Sequence, residues 1–210
     1  MDGVTLGMGE LAGTGVYAAR DFAAGEVVVS YETQPLTADE YSTLPAGDEI
    51  FVHSYRGRRH LYPSPARFVN HSDDPSCFQD FDRGCDVALR PILAGEPVTI
   101  DARQETAHEL DTFIIALRDA LDSRSSDQLG ALLSESVTLW SGGRQVAGRD
   151  DAVDGMLSGD VLPLTDTHWM VGTGRWEALC SARSGTADRH LTVLLKILAG
   201  NWQIVYVHLG

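Results

Sequence analysis

The chain has 210 residues, enough for one large or two small domains that each bury their own core. Acidic residues outnumber Lys and Arg by 30 to 16, and the formal charge of −14 argues against non-specific nucleic-acid binding, which needs clustered cations. The most apolar run, 191–199, is too short to cross a bilayer, and the N-terminus lacks the pattern of a signal peptide. We therefore expect a cytoplasmic protein that binds neither nucleic acid nor a membrane.

The chain is predicted to begin with short strands. Residues 1–12 are rich in glycine and are expected to fray before the first strand. Segments 16–19 and 27–31 have the character of strands and predict a hairpin. Gly25 can take the positive φ that the turn between them requires.

A second hairpin is predicted in 51–62. Gly57 lies there between Arg56 and Arg58, and a glycine among charged residues is typical of a hairpin tip. The segment 35–45 is expected to form a short helical turn. Prolines 63 and 65 then end regular structure.

The character of the sequence changes after residue 102, where an amphipathic helix is predicted. Thr106 and Glu109 fit a capping box at its start. Its core-facing stripe consists of Leu110, Phe113, Ile114, Leu117 and Leu121. The later elements are expected to be a helix at 127–133, a strand at 137–140, a helix at 150–157, and strands at 167–182, 190–199 and 202–209, the last two joined by a tight turn at Gly200-Asn201.

The three cysteines predict reduced, buried thiols. Cys77, Cys85 and Cys180 are odd in number and lack a Cys-x-x-Cys spacing, so they fit no complete disulfide framework. Small apolar thiols of this kind are commonly buried.

Four motifs in the first half occur in a characteristic order. They are Gly13-Thr14-Gly15, a strand–turn–strand segment closing on Ala24-Gly25-Glu26, the run Arg67-Phe68-Val69-Asn70-His71-Ser72, and a second such segment closing on Ala94-Gly95-Glu96. In this order they resemble the SET-domain family of protein methyltransferases over roughly residues 10–102. Many members carry a cluster of zinc-binding cysteines after the domain, which this sequence lacks, so no metal is expected.

The SET resemblance implies an S-adenosylmethionine site. Gly13 and Gly15 would let the backbone approach the cofactor, Asn70 and His71 match the pair that lines its pocket, and Arg67 and Phe68 would pack beside them. Tyr31 matches an aromatic residue of the methyl-transfer channel and is the catalytic candidate. A turn cap at Asn70-His71 and a strand-core role for Tyr31 are the alternatives.

One position departs from the SET pattern. After Thr99-Ile100-Asp101 the family usually places a tyrosine whose hydroxyl lies at the methyl-transfer channel, and this chain has Ala102. Tyr55 or Tyr62 is a possible substitute. Because orientation contributes much of methyl-transfer catalysis, the change predicts slow transfer with cofactor binding retained.

The second half resembles the nuclear transport factor 2-like (NTF2-like) superfamily, in its SnoaL-like and ketosteroid-isomerase-like branch, over residues 106–210. The order of elements, the entry Gly148-Arg149-Asp150 into a helix and the ending 202–208 carry the resemblance. It implies a curled sheet wrapped by helices into a cone that commonly dimerises through the outer face of the sheet. Candidate acids or bases are Asp166, His168, His190 and His208.

The sequence thus predicts an α+β protein with a SET-like S-adenosylmethionine-binding domain at 1–102 and an NTF2-like domain at 106–210. The leading function is methyl transfer to an amine of a peptide or a small molecule, weakened by Ala102, in a homodimer formed through the second domain. One alternative is a small-molecule isomerase, cyclase or hydratase that uses the cone, with a degenerate SET domain attached. Another is a non-catalytic module that binds S-adenosylmethionine or a partner.

Overall fold

The computed structural model describes residues 3–9, 13–158, 168–173, 177–183 and 190–210, with the backbone alone for 168–173 and residue 183. The chain divides into two compact units. The first consists of Met1–His53 and His60–Leu110, and the second of Ser54–Arg59 and Asp111–Gly210. Helices and sheets occur together, so the predicted α+β class is confirmed.

The first half is built of short strands: β1 (Val4–Met8), β2 (Thr14–Ala18), β3 (Val27–Ser30), β4 (Gln34–Leu36), β5 (Val52–Tyr55), β6 (Arg58–Leu61), β7 (Asn70–His71), β8 (Cys77–Asp80), β9 (Cys85–Ala88) and β10 (Pro97–Ile100). A helix, α1 (Ala38–Ser42), and two 3-10 turns, Asp48–Phe51 and Ala66–Phe68, lie between them. The strands form three sheets with the orders β1-β2-β10-β7, β3-β9-β8 and β4-β6-β5.

Two predictions for the N-terminal strands are wrong. Part of the segment expected to fray is the strand β1, which pairs with β2 so that Val4 lies opposite Ala18. The expected hairpin of 16–19 with 27–31 does not form, because β2 pairs with β1 and β10 while β3 pairs with β9. The physical reason is backbone pairing: β2 lies among buried residues, with Val16 1% exposed, so the N–H and C=O groups on both of its edges need partners.

The hairpin around Gly57 and the helical turn in 35–45 are both confirmed. β5 and β6 are neighbours in one sheet. Arg56 and Gly57 have φ values of 51° and 72°, the left-handed geometry of a two-residue hairpin turn. α1 starts with a capping box in which Thr37 and Glu40 bond each other's backbone.

The second half contains α2 (Arg103–Asp122), α3 (Ser126–Leu132), β11 (Leu133–Ser141), β12 (Arg144–Ala147), α4 (Arg149–Ser158), β13 (His168–Thr173), β14 (Glu177–Arg183), β15 (His190–Leu198) and β16 (Asn201–Leu209). The strands form one sheet of order β12-β11-β16-β15-β14-β13, parallel between β11 and β16 and antiparallel elsewhere. This is the predicted succession of helices, strand, helix and long strands.

The predicted apolar stripe of α2 is confirmed, since all five of its residues are at most 7% exposed. The predicted capping box is wrong, because α2 begins at Arg103, three residues before Thr106. Asp101 caps the helix instead, and its carboxylate accepts a hydrogen bond of 3.1 Å from the Arg103 backbone N–H. Glu109 therefore does not serve as a cap.

Two details of the final strands also differ from expectation. The segment 167–182 contains two antiparallel strands, β13 and β14, where one was predicted. The last turn lies at Ala199 and Gly200, one residue earlier than predicted, with φ values of 47° and 70°. Asn201 instead begins β16, where its buried amide accepts from Ser54 Oγ and donates to the Gly57 carbonyl at 2.7 Å.

The cysteine prediction is confirmed, because all three thiols are free and buried. Burial raises the pKa of Cys77 to about 12 and that of Cys180 to about 11, so these sulfurs stay protonated near neutral pH. In the described part of the chain, no helix combines the length and the apolar character that a membrane span requires.

Candidate functional site

A pocket of about 370 Å³ opens in the first unit, a size within the lower range of small-molecule sites. Strands β2, β7 and β10 and the loop after β7 supply most of its wall. The residues that carry its chemistry are Gly15, Tyr17, Asn70, His71, Asp73, Asp74, Arg90 and Thr99.

Strand β10 decides which residues meet in this pocket. It pairs antiparallel with β2, where Val98 lies opposite Val16, and parallel with β7, where Thr99 lies opposite Asn70. Ser76 fixes β10 further, because Thr99 N donates to Ser76 Oγ at 2.9 Å and Ser76 N donates to Thr99 Oγ1 at 3.0 Å. Three segments distant in sequence therefore form one wall.

Gly15 occupies a position with no room for a side chain. A Cβ there would lie 3.1 Å from Gly9 Cα and 3.3 Å from Asn70 Nδ2. These separations are shorter than ordinary carbon contacts, so the glycine keeps the backbone of β2 accessible beside Asn70.

His71 lies at the outer part of the pocket with 38% of its side chain exposed. Its Nδ1 accepts a hydrogen bond of 3.2 Å from Ala102 N, and its Nε2 lies 3.5 Å from an Asp73 carboxylate oxygen. Asp101 Oδ1 is 3.7 Å from Nδ1. The ring is therefore oriented by the backbone of Ala102.

The remaining predicted cofactor residues do not line this pocket. Gly13 has a φ of +66°, which a glycine adopts readily, and it shapes the turn that leads into β2. Arg67 lies 5.2 Å from the Phe51 ring and 5.1 Å from the Phe68 ring, with Asp48 Oδ2 at 3.4 Å. The pair Arg67-Phe68 thus belongs to a cation–π cluster.

Tyr31, the predicted catalytic residue, is buried outside the pocket lining. It is 9% exposed, and its ring centroid lies 4.9 Å from that of Tyr62, which is 5% exposed. Burial, reinforced by the Asp86 charge, raises the Tyr31 pKa well above its usual value. Tyr62 rather than Tyr55 is therefore the second tyrosine beside Tyr31.

A cluster of ionisable groups surrounds the two tyrosines. The His53 ring packs edge-on against Tyr62, and its Nδ1 lies 3.2 Å from Glu109 and 3.5 Å from Glu105. Burial opposes a charge on His53, but the two carboxylates outweigh it and raise the His53 pKa. We call His53, Glu105, Glu109 and Asp86 the acid cluster.

Asp86 is the deepest member of the acid cluster, with 1% of its surface exposed. Burial raises its pKa to about 8, the Glu105 charge adds to the rise, and the neighbouring Tyr31 hydroxyl offsets part of it. A carboxyl in this position is neutral at pH 7 in the folded protein.

Sequence reasoning missed the acid cluster. The capping-box pattern predicts a cap role for Glu109, and the hairpin pattern of 51–62 gives His53 no chemical role. One usable signal is Asp86 itself, an acidic residue between Cys85 and Val87 in a strand that is buried throughout. Such a residue is rarely buried unless it is paired.

Of the candidate acids and bases in the second unit, two have described side chains. Asp166 lies outside the described residues, as does the side chain of His168. His190 and His208 lie together, with Nε2 and Nδ1 3.0 Å apart. They alternate along their strands with the buried Leu191 and Val207, so they lie on the sheet face opposite the core.

Comparisons with known proteins give one family match and several similar solved structures. The family model described as SET domain matches residues 13–101. A search of curated proteins gives no match. The similar solved structures include a Plasmodium falciparum protein provisionally described as a histone methyltransferase, at 16% identity and a TM-score of 0.39, covering 48% of this chain and 93% of that one.

Two further similar structures come from Shewanella. A protein of Shewanella oneidensis MR-1 described as NTF2-like and of unknown function has 13% identity and a TM-score of 0.38, and covers 50% of this chain and 98% of that one. A protein of Shewanella frigidimarina provisionally described as a ketosteroid isomerase has 15% identity and a TM-score of 0.38, covering 46% and 90% of the two chains.

The buried Asp86 predicts a pH-dependent stability. Below its ordinary pKa of 3.8 the carboxyl is protonated in both states, but as the pH rises the unfolded chain ionises while the folded one stays neutral up to about 8. Stability should therefore fall through this window. The Asp86→Asn variant should gain free energy of unfolding relative to wild type from pH 4 to 8, as measured by urea denaturation.

The exposed Asp82, in the turn that precedes β9, provides a matched control. Asp82→Asn should run parallel to wild type across the pH series. If Asp86→Asn also runs parallel, the Asp86 carboxyl is not held neutral.

Proposed function

We propose that the first unit binds S-adenosylmethionine and catalyses methyl transfer to an amine, while the second unit provides dimerisation or substrate placement. The observation that carries this proposal is the meeting of Gly15, Asn70 and His71 in one pocket. These residues come from two of the four motifs, and the SET-domain model matches the segment that contains them.

The pocket suits the chemistry of the cofactor. Gly15 leaves backbone open for a close approach, and the Asn70 amide can both donate and accept hydrogen bonds. Arg90 on one side and Asp73 and Asp74 on the other offer the opposite charges that a carboxylate and an amino group require. Asn70 and His71 would hold the nucleoside or amino-acid parts.

When bound, S-adenosylmethionine supplies an activated methyl group on a sulfonium sulfur. The protein's contribution is to position an amine without its extra proton and to exclude water. Tyr31 and Tyr62 form a buried aromatic pair that would orient the amine. The acid cluster lies beside them and provides groups that exchange protons.

Cofactor binding is expected to depend on Asn70. Isothermal titration calorimetry of wild type with S-adenosylmethionine should give saturable binding, and Asn70→Ala should weaken it by about tenfold or more because a positioned hydrogen-bonding group is lost. Gln34→Ala, which truncates an exposed polar side chain of β4, should leave the affinity unchanged. A flat titration of folded wild type rejects the proposal.

Methyl transfer is expected to be slow, since Ala102 supplies no hydroxyl. A positioned orienting or acid–base group contributes about 10²–10⁴-fold, so a deficit of that order should appear in a transfer assay with peptide amines. Ala102→Tyr should raise the rate with little change in cofactor affinity, provided that its melting temperature is maintained. Tyr62→Phe should lower the residual rate. Fast transfer by wild type together with a fully active Tyr62→Phe would contradict this account.

The isomerase alternative requires an acid or a base inside the cone. In β15 the core-facing side chains are Leu191, Val193 and Leu195, and the polar ones alternate onto the other face. The described part of this strand therefore favours methyl transfer in the first unit over chemistry in the second.

The second unit is proposed to form a homodimer through the face that carries His190. Leu179, Leu194 and Tyr206 are neighbours across three strands of that face, and Leu179 is 50% exposed. A contiguous exposed apolar patch on a sheet is typical of an interaction surface.

Sedimentation should show a dimer that Leu179→Glu converts to monomer, because a carboxylate would be buried in the interface. Leu93→Glu is the matched control, since Leu93 is 57% exposed in a turn of the first unit. A monomeric wild type would rule out this interface.

A further inference from the structure

Two histidines of the second unit meet on the outer face of its sheet. His190 Nε2 and His208 Nδ1 are 3.0 Å apart, and the ring centroids are 4.9 Å apart with an angle of 43° between the ring planes. Both residues are half-buried, so solvent reaches them. Two imidazole nitrogens at this distance can share either a proton or a metal ion.

The strands that carry the pair are held on both of their edges. β15 lies between β16 and β14, and β16 lies between β15 and β11. His190 exchanges backbone hydrogen bonds with Gly210 at 2.9 and 3.1 Å, and His208 lies opposite Thr192 in the same ladder. The backbone therefore fixes the positions from which both imidazoles project, which is the condition for a preorganised site.

Gly210 leaves room for the His190 ring. A Cβ at position 210 would overlap His190 Cε1 and would lie 2.6 Å from His190 Nε2. The ring therefore occupies the space that a side chain at 210 would fill. Any larger residue there would displace Nε2 from its place beside His208.

We propose that His190 and His208 bind one divalent transition-metal ion between Nε2 and Nδ1. A Zn²⁺–N bond is about 2.0–2.1 Å long, so two nitrogens on one ion are about 2.9–3.4 Å apart when the bonds meet at about 90–110°. The observed 3.0 Å lies in this range, so the ion replaces the shared proton with little movement of either ring. Imidazole nitrogens suit Zn²⁺ and Cu²⁺, whereas Mg²⁺ and Ca²⁺ take oxygen ligands.

The pair lies beside the apolar patch through which the second unit is proposed to dimerise. Tyr206 of that patch is two residues before His208 and lies opposite Leu194. In a dimer with a two-fold axis, each copy presents the same surface to the other. The same two imidazoles of a second copy can then complete a tetrahedral ion, whereas in a monomer water fills the remaining positions. Neither the site nor its test depends on methyl transfer in the first unit.

The cysteines compete weakly for such an ion. Cys77, Cys85 and Cys180 are buried, and burial raises the pKa of Cys77 and of Cys180, so the thiolates that bind soft metals are scarce near neutral pH. The expectation that the chain binds no metal rests on the missing cysteine cluster of the SET family, and it does not extend to these imidazoles.

The experiment is calorimetric titration of the full chain with ZnCl₂ and with CuCl₂ in a buffer that does not coordinate metals. Both should bind saturably, because a second ligand held nearby strengthens binding by about 10²–10⁴-fold over a single imidazole. His190→Gln and His208→Gln should each weaken the affinity by about a hundredfold, and the double variant should lose little more, since either change breaks the chelate. His108→Gln, which removes another half-buried imidazole, should leave the affinity unchanged.

Gly210→Ala tests the geometry without removing a ligand. It should weaken the binding of both metals, because its Cβ takes the place of the His190 ring. Wild-type affinity in this variant would contradict the position of the ring on which the proposal rests.

Electron paramagnetic resonance of the Cu²⁺ complex identifies the ligands. Couplings from at least two imidazole nitrogens are expected, and they should disappear in the double variant. One ion for two chains, with dimerisation promoted by ZnCl₂ in sedimentation, places the metal between two copies. One ion for each chain places it on a single copy with water. MgCl₂ should not bind to the pair.

If neither ZnCl₂ nor CuCl₂ binds saturably, the proposal is overturned and the two histidines share a hydrogen bond only. Undiminished binding by the double variant overturns it as well, because the metal is then an adventitious ion only. Failure of S-adenosylmethionine binding would reject methyl transfer in the first unit and leave this site standing.

Discussion

The pairing of one strand, β10, on both of its edges is the constraint on which the candidate site depends. The antiparallel edge holds β2 with Gly15, and the parallel edge holds β7 with Asn70. The Asn70 side chain reaches back toward β2, so that a Cβ at Gly15 would lie 3.3 Å from Asn70 Nδ2. The two hydrogen bonds between Ser76 and Thr99 fasten the same strand to the start of β8. A change in the register of β10 would therefore disassemble the pocket.

The same half of the chain holds a second polar region with a different physical character. The pocket is open, and its charged residues Asp73, Asp74 and Arg90 are solvated. The acid cluster is buried, and its groups respond by changing protonation, so that Asp86 is neutral and His53 gains a proton more easily. A site of this kind lowers stability at neutral pH. Ionisable groups with strongly shifted pKa values are commonly found at functional sites, even though they lower stability.

The fold and the site could be predicted from the sequence only where they depend on interactions between residues close in sequence. The stripe of α2 and the hairpin tip at Gly57 follow from local periodicity and turn chemistry, and both were predicted. The partners of β2 and β3 were not predicted. Strands adjacent in sequence are expected to pair, but here β2 pairs with β10 and β3 pairs with β9, both distant in sequence. The shifted last turn has the same origin: Asn201 is held by the distant Ser54 and Gly57, which a local pattern cannot reveal.

The start of α2 contributes both to the pocket and to the acid cluster, since Ala102 N bonds His71 and Glu105 and Glu109 follow in the first turns of the helix. Asp101 caps α2, so the chain turns into a helix at Arg103. In a helix, residues four apart share a face, and Glu105 and Glu109 therefore both reach His53. If residues 105–109 did not form a helix, this spacing would not place both carboxylates against one imidazole. The helix that begins at Arg103 therefore sets the charge beside Tyr62, because it brings both carboxylates to the imidazole that packs against that ring.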